Sequence, residues 1–168
     1  MYAVRVQSRK VLTNYGHGLG WIYIMMTTCD YRRVKIGLSI NNPIKRLSNL
    51  KTADPFLVMH AAYFIPTNVA GFGLRDIEKK LHESFKDFRI FFFDDEDEVN
   101  VPSEWFFINA YGCDEIIDKA FNSIGFRVFQ CGPRDDNPSS AVYKHYAEDL
   151  VYDPEEVNWV LGDSYFNC

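Results

Sequence analysis

The fold of this chain is set by residues 21–37, which read Trp-Ile-Tyr-Ile-Met-Met-Thr-Thr-Cys-Asp-Tyr-Arg-Arg-Val-Lys-Ile-Gly. Two apolar runs flank a polar and cationic connection, and this pattern predicts a β-hairpin. If the turn centres on Cys29, Tyr23 and Lys35 lie opposite each other on antiparallel strands, with their Cβ atoms about 5 Å apart. A tyrosine that faces a lysine is unusual in an apolar hairpin, so we expect this pair to do more than pack.

The composition indicates one globular domain with an appendage. The chain has 168 residues, of which 47% are hydrophobic, and this is enough for a single core. No apolar run approaches the roughly 18 residues of a membrane span, and the N-terminus lacks the apolar core of a signal peptide. The four cysteines are scattered without a Cys-x-x-Cys pair. These features predict a cytoplasmic protein with reduced thiols and no membrane partner.

Charge is distributed unevenly along the chain, although the net charge is only −5. Residues 1–51 carry nine Lys and Arg against one acidic residue, whereas residues 94–168 carry four against seventeen. The basic segment is suited to the phosphates of nucleic acid, and the acidic segment to a basic protein partner. A second interpretation stays open, in which the two segments simply neutralise each other.

Two helices are predicted to follow the hairpin. The first begins with Asn42 as its N-cap, followed by a proline, and it carries Arg46 beside its apolar stripe. The second runs from residue 74 to about residue 88. In it, Glu78 and His82 are four residues apart and therefore lie one above the other at the margin of the apolar stripe. Glu78 either pairs with a lysine or lines a cleft.

Two further segments bear on metal binding. Residues 56–65 are almost all apolar and predict a buried strand, in which His60 is interpreted as a core or edge histidine rather than a ligand. The acidic run at residues 94–98 lacks the glycine and the ligand spacing of a calcium-binding loop. We therefore interpret it as a solvated loop.

The C-terminal part is predicted to contain a strand at residues 101–108 and a helix that Asp114 caps. Two short helical stretches, at about 139–150 and 154–161, are predicted to end the chain. The expected organisation is a lead-in, a globular domain and an acidic C-terminal extension, at residues 1–19, 20–126 and 127–168.

Short motifs occur along the globular domain in a definite order. They are Trp-Ile-Tyr at 21–23, Lys-Ile-Gly at 35–37, Arg46, Ile-Glu-Lys-Lys-Leu-His at 77–82 and Ser-Glu-Trp-Phe at 103–106. In this order they resemble the GIY-YIG nucleases, and most of all a phage-enriched branch whose second motif is Lys-Ile-Gly. The resemblance spans about residues 20–108.

The resemblance implies an α+β fold with a small, mostly antiparallel sheet of three to four strands flanked by helices. To this the sequence adds a C-terminal helical or irregular appendage. The implied activity is that of an endonuclease that hydrolyses phosphodiester bonds of double-stranded DNA with Mg²⁺ or Mn²⁺, in a phage or mobile element. A homodimer would let one site cut each strand.

The resemblance also implies roles for individual residues. Tyr23 would activate or orient the attacking water, Arg46 would bind the scissile phosphate and Glu78 would hold the metal. His82 would have a supporting catalytic role. Lys35 would lower the pKa of Tyr23, because an ammonium group beside a phenol favours its anion. The residues expected to contact DNA phosphates are Arg32, Arg33, Lys45 and Lys51.

Two alternatives stay open. The first is an adaptor with the same fold but little or no nuclease activity, which binds nucleic acid or a protein through its acidic half. In the second, Tyr23 and Trp105 are ordinary core aromatics, and Arg46 and Glu78 form an ion pair. A structure in which Tyr23, Arg46 and Glu78 do not converge on one cleft would contradict both the site and the family. Metal-dependent nicking of a plasmid would distinguish a nuclease from the adaptor.

Overall fold

The computed structural model describes residues 19–66, 71–130 and 137–150. The strands are β1 (Gly20–Thr27), β2 (Asp30–Ser39), β3 (Leu57–Ile65), β4 (Arg89–Asp94), β5 (Val99–Phe107), β6 (Arg127–Phe129) and β7 (Ala141–Tyr146). The helices are α1 (Pro43–Leu50), α2 (Leu74–Ser84), α3 (Ala110–Ser123) and α4 (Ala147–Leu150), with a 3₁₀ turn at Lys86–Phe88. The seven strands form one sheet in the order β4-β5-β2-β1-β3-β7-β6, and only the β6–β7 pair is parallel.

The α+β class and the mostly antiparallel sheet are confirmed, but the predicted number of strands is wrong. Residues 139–150, predicted to be helical, instead form β7 and the single turn of α4. Because β7 is buried and includes Lys144 and His145, it lacks the alternation of apolar and polar residues that reveals a half-exposed strand. The predicted helix at 154–161 and most of the lead-in lie outside the described residues.

β1 is the central strand, and every residue in it is buried. Side chains alternate across a strand, so Ile22 and Ile24 pack into a core beneath α2 and α3, whereas Trp21, Tyr23 and Met25 pack into a second core beneath α1 and α4. An uninterrupted apolar run is the expected sequence of a strand that is covered on both faces. This explains why the hairpin motif dominates the fold.

The β1–β2 hairpin is confirmed, but its register differs from the prediction by two residues. Tyr23 faces Gly37, and Lys35 faces Met25. A bulge near the end of β1 shifts the ladder, because an extra residue on one strand displaces all later pairs. The turn itself lies at residues 28–29, close to the predicted centre at Cys29, so the bulge and not the turn accounts for the shift. Tyr23 and Lys35 still share one face of the sheet.

The first helix begins at its predicted cap, whereas α3 begins before its predicted cap. The Asn42 side chain accepts a hydrogen bond of 3.0 Å from the Ile44 amide at the start of α1. α3 begins after Asn109, which accepts a bond of 2.8 Å from the Gly112 amide. Asp114, which was predicted to cap this helix, instead lies inside it and is buried. Among the described residues, none of the helices is long and apolar enough to cross a membrane.

A buried polar cluster joins α3 to β3 and β7. Lys144 Nζ lies 3.4 Å from Asp114 Oδ2 and 3.4 Å from Asp118 Oδ2. His60 Nε2 lies 3.1 Å from Asp114 Oδ2, and the Tyr63 hydroxyl donates a 2.9 Å bond to Asp118. His60 is therefore a core histidine, as predicted.

Candidate active site

The candidate site lies where β2 and β5 separate. Their ladder covers three residue pairs and ends at Lys35, so α2 side chains meet the next part of the β2 backbone. His82 Nε2 lies 3.1 Å from the Ile36 carbonyl oxygen, and the Glu78 carboxylate accepts a hydrogen bond from the Leu38 amide. The separation of two strands thus positions two side chains that are one helical turn apart.

Tyr23 reaches the same place from β1. Its ring lies over Gly37 so closely that a Cβ atom at that position would be 2.5 Å from the tyrosine Oη. A residue without a side chain is therefore needed at position 37, so that the tyrosine ring has room. The Tyr23 side chain is 1% exposed, and its hydroxyl is hydrogen-bonded to Arg46 of α1. Arg46 itself is exposed, so a buried phenol supports a guanidinium that faces solvent.

The pKa of Tyr23 is raised above its ordinary value of 10, because burial of the phenol outweighs the hydrogen bond and positive charge of Arg46. The charges of Glu104 and Glu78 raise it further, so the phenol is neutral at neutral pH. The predicted lowering of this pKa by Lys35 is therefore wrong, since it relied on a register that β1 and β2 do not adopt.

Lys35 forms an ion pair with Glu104 of β5. Glu104 was not among the predicted site residues, although it lies in the Ser-Glu-Trp-Phe motif. Burial and the charge of Glu104 raise the pKa of Glu78, while Lys35, Arg75 and the Leu38 amide act in the opposite direction. Glu104 therefore makes the negative charge on Glu78 more costly.

His82 is half-buried, and desolvation by burial lowers its pKa below 6.5 although its bond to Ile36 acts in the opposite direction. The ring is therefore neutral at neutral pH. A carbonyl oxygen can only accept, so Nε2 must carry the ring proton. The other nitrogen, Nδ1, is left as a hydrogen-bond acceptor.

An open pocket of about 410 Å³ adjoins these side chains. Glu78 and His82 form part of its wall. Its other charged residues are Arg75, Lys79, Glu83, Lys86 and Arg89. The pocket thus combines Glu78 and His82 with an excess of positive charge, whereas Tyr23, Lys35 and Arg46 do not line it.

The donor set fits a hydrated divalent cation rather than a site made of protein ligands alone. Across 19–66, 71–130 and 137–150, no three His, Cys, Asp or Glu side chains are arranged to hold a metal. Mg²⁺, however, is commonly bound by one or two carboxylates together with water and substrate phosphates. A cation beside Glu78 would also offset the burial and the repulsion that raise its pKa.

The structure brings together most of the predicted site residues but separates those expected to contact DNA. Tyr23, Arg46 and Glu78 converge with Lys35 and His82 around β2. In the described part of the chain, Arg46 and Glu78 form no ion pair with each other.

The four residues predicted to contact DNA are absent from the pocket wall. Arg32 and Arg33 both pair with Asp30, at 3.0 and 3.2 Å. Lys45 is exposed on α1, and Lys51 is its C-cap residue. Their contribution to DNA binding stays a prediction.

The family model of the T5orf172 domain matches residues 20–121, which include β1 to most of α3 and all the side chains described above. This is a different family from the GIY-YIG nucleases, so the assignment from short motifs is wrong. Motifs of three to six residues reflect the local geometry of the chain, and similar local geometry is not enough to assign a family. No curated protein and no solved structure matches the chain.

Proposed function

Because the chain belongs to the T5orf172 domain family, we propose that it hydrolyses DNA phosphodiester bonds as a metal-dependent endonuclease. T5orf172 domains are nuclease-like and DNA-binding, so membership supports a function on nucleic acid. The observation that carries the proposal is the convergence of Glu78 and His82 on the β2 segment over which Tyr23 lies, with Arg46 hydrogen-bonded to the tyrosine hydroxyl.

Arg46 is proposed to bind the scissile phosphate. Its planar guanidinium presents paired donors that fit two phosphate oxygens, and it stays charged throughout the accessible pH range. Such donors stabilise the charge that develops in the transition state. Tyr23 holds Arg46 from below, and a phenol with a raised pKa is better suited to this positioning role than to removing a proton.

His82 is the group best suited to accept a proton from the attacking water. It lines the pocket, and its bond to Ile36 fixes the ring with Nδ1 as the acceptor. A general base should be unprotonated at the working pH and within reach of the reacting atoms. His82 meets the first requirement because its pKa is lowered.

Glu78 is the residue that would hold Mg²⁺ or Mn²⁺, with water and substrate phosphate oxygens as the remaining ligands. When bound, the ion would polarise the phosphate and stabilise the leaving oxygen. Glu104 and Lys35 set the charge around Glu78 and so influence how strongly this carboxylate favours a cation.

A specific observation favours a second candidate, an adaptor that binds nucleic acid or a protein. Phe91, Phe92 and Phe93 on β4 are 52%, 58% and 61% exposed. Asp94 at the end of β4 and the turn at residues 95–98 together contribute five carboxylates. An exposed apolar ribbon with an acidic end is suited to a basic protein partner.

Incubation with supercoiled plasmid in Mg²⁺ or Mn²⁺, beside a sample with EDTA, tests the proposal. An endonuclease converts the plasmid to nicked or linear DNA, and only with the metal. If the protein retards the plasmid on a gel but leaves it supercoiled in both metals, the adaptor function is correct instead.

A further inference from the structure

The pocket beside Glu78 has one basic wall that α2 and the following turn supply. Arg75, Lys79 and Lys86 recur at spacings of four and seven residues, so they lie along one side of the helical segment. Glu78 and His82 belong to the same wall. A phosphate chain that follows the cations would therefore pass the candidate catalytic groups.

Arg89 closes this wall at the start of β4. Its guanidinium lies over the Phe106 ring, with Cζ 5.2 Å from the ring centroid. Its Nε is buried and has no hydrogen-bond partner in the described part of the chain. A buried N–H group without an acceptor is destabilising. Arg89 nevertheless lines the pocket, where its positive charge would favour an anionic ligand.

The apolar part of the pocket lining belongs to the β4–β5 hairpin. Phe91 and Pro102 face each other across the two strands, and both line the pocket. Phe91 is 52% exposed, so its ring is available for stacking. Phe92 is equally exposed but points to the other face of the hairpin, since side chains alternate along a strand.

Cations beside an exposed aromatic ring are the combination that binds single-stranded nucleic acid. The cations follow the backbone, and the ring stacks on a base face that pairing in a duplex would hide. Two acidic residues also line the pocket. Of these, Glu78 is the residue proposed to hold a cation, and Glu83 is exposed to solvent. The wall therefore keeps a net positive charge.

We infer that this pocket binds a single strand of DNA, with phosphates at Lys79, Lys86 and Arg89 and an unpaired base on Phe91. The choice of DNA as the ligand rests on the proposed function. The preferred substrate is then a DNA molecule with an unpaired stretch beside the bond that is cut. This differs from the fully double-stranded substrate that the sequence predicts.

Binding of fluorescent oligonucleotides, measured by anisotropy in EDTA, tests the inference without any cleavage. The parent protein should bind a single strand more tightly than the duplex of the same sequence. Phe91→Ala should weaken single-strand binding about 5- to 150-fold, the loss expected for one stacked base. Phe92→Ala, the matched control, should leave it unchanged.

The lysines are tested through the salt dependence of the same binding. Lys79→Ala/Lys86→Ala removes two phosphate contacts, so the slope of log affinity against log salt should fall by about 1.4 for a single strand. Lys80→Ala/Lys119→Ala is the matched control, because Lys80 lies over the Phe72 ring and Lys119 is exposed on α3. This control should keep the parent slope.

Equal effects of the two phenylalanine variants, or an unchanged salt slope in the Lys79/Lys86 variant, would overturn the inference. So would tighter binding to the duplex, or no binding to either oligonucleotide. These outcomes are separate from the proposed function, because plasmid nicking is measured independently. A protein that nicks plasmid but fails the oligonucleotide tests is a nuclease whose strand path lies elsewhere.

Discussion

The ring of Tyr23 covers Gly37, and a Cβ atom at position 37 would be 2.5 Å from the tyrosine Oη and 2.7 Å from Cζ. This contact brings the central strand to the point where α2 meets β2. The tyrosine hydroxyl is hydrogen-bonded to Arg46, and the ring is close enough to Glu78 for the carboxylate charge to raise the tyrosine pKa. The geometry of the site therefore depends on a residue that has no side chain.

Gly37→Ala is expected to destabilise the protein by about 1–3 kcal/mol, because the methyl group forces the buried Tyr23 ring to move. Urea denaturation measures the free energy of unfolding. Gly112→Ala is the control, since the nearest atoms to its Cβ lie at ordinary contact distances of 3.4 and 3.5 Å. If both variants have the same stability as the parent, the close packing of Tyr23 on Gly37 is wrong.

The rate of cleavage should be constant around neutral pH and fall as the solution becomes acidic. The pKa of His82 is lowered below 6.5, and the ring works only when it is neutral, so the loss begins below that value. Arg89 and Lys35 lower this pKa, and Glu104 acts in the opposite direction. A profile of the single-turnover cleavage rate against pH measures where this loss begins.

An ionised tyrosine as the base would produce a different pH profile. Burial keeps the pKa of Tyr23 above 10, so a rate that depended on its anion would rise about tenfold per pH unit from neutral to alkaline pH. Such a rise would exclude His82 as the base. Tyr23→Phe should reduce the cleavage rate by displacing Arg46, but the fall of the rate at acidic pH should remain.

Sequence patterns predicted the elements that carry the site because their apolar periodicity is strong. The two helices place Arg46, Glu78 and His82 beside buried stripes. Glu78 and His82 meet the β2 backbone, and Arg46 bonds to Tyr23 of the hairpin. The register of Tyr23 could not be predicted, because it depends on a bulge for which the turn residues give no signal in the sequence.

The remaining features depend on contacts between distant parts of the chain. The Lys35–Glu104 ion pair joins residues 69 positions apart. The direction of the Tyr23 pKa shift follows from burial, which composition does not reveal. The strand β7 was not predicted because Lys144 and His145, two polar residues, are buried within it.

Lys144→Met should destabilise the protein by about 3–5 kcal/mol, because it leaves the buried Asp114 carboxylate without its cation. Lys144 and Asp114 side chains are 2% and 8% exposed. Urea denaturation measures the change, with exposed Lys119→Met as a control that should stay within about 0.5 kcal/mol of the parent. An unchanged stability would show that the cluster around Asp114 is not a structural ion network.

Glu104→Gln should weaken metal binding while changing stability by less than about 1 kcal/mol, because this carboxylate is half exposed. Loss of its negative charge lowers the pKa of Glu78 and reduces the attraction for a cation. The Mg²⁺ concentration that supports half-maximal cleavage should therefore rise. An unchanged Mg²⁺ requirement would mean that Glu104 serves only as the partner of Lys35.

The proposed activity depends above all on Glu78, and comparison of Glu78→Gln with Glu83→Gln in the plasmid assay tests that dependence. Both residues line the pocket on α2, but only Glu78 bonds to the β2 backbone. Loss of a group that merely supports a metal ligand costs about 10- to 100-fold. The rate of Glu78→Gln should accordingly fall at least about 100-fold with the fold intact by circular dichroism, and Glu83→Gln should cleave like the parent. Cleavage by Glu78→Gln at the parent rate would contradict the account.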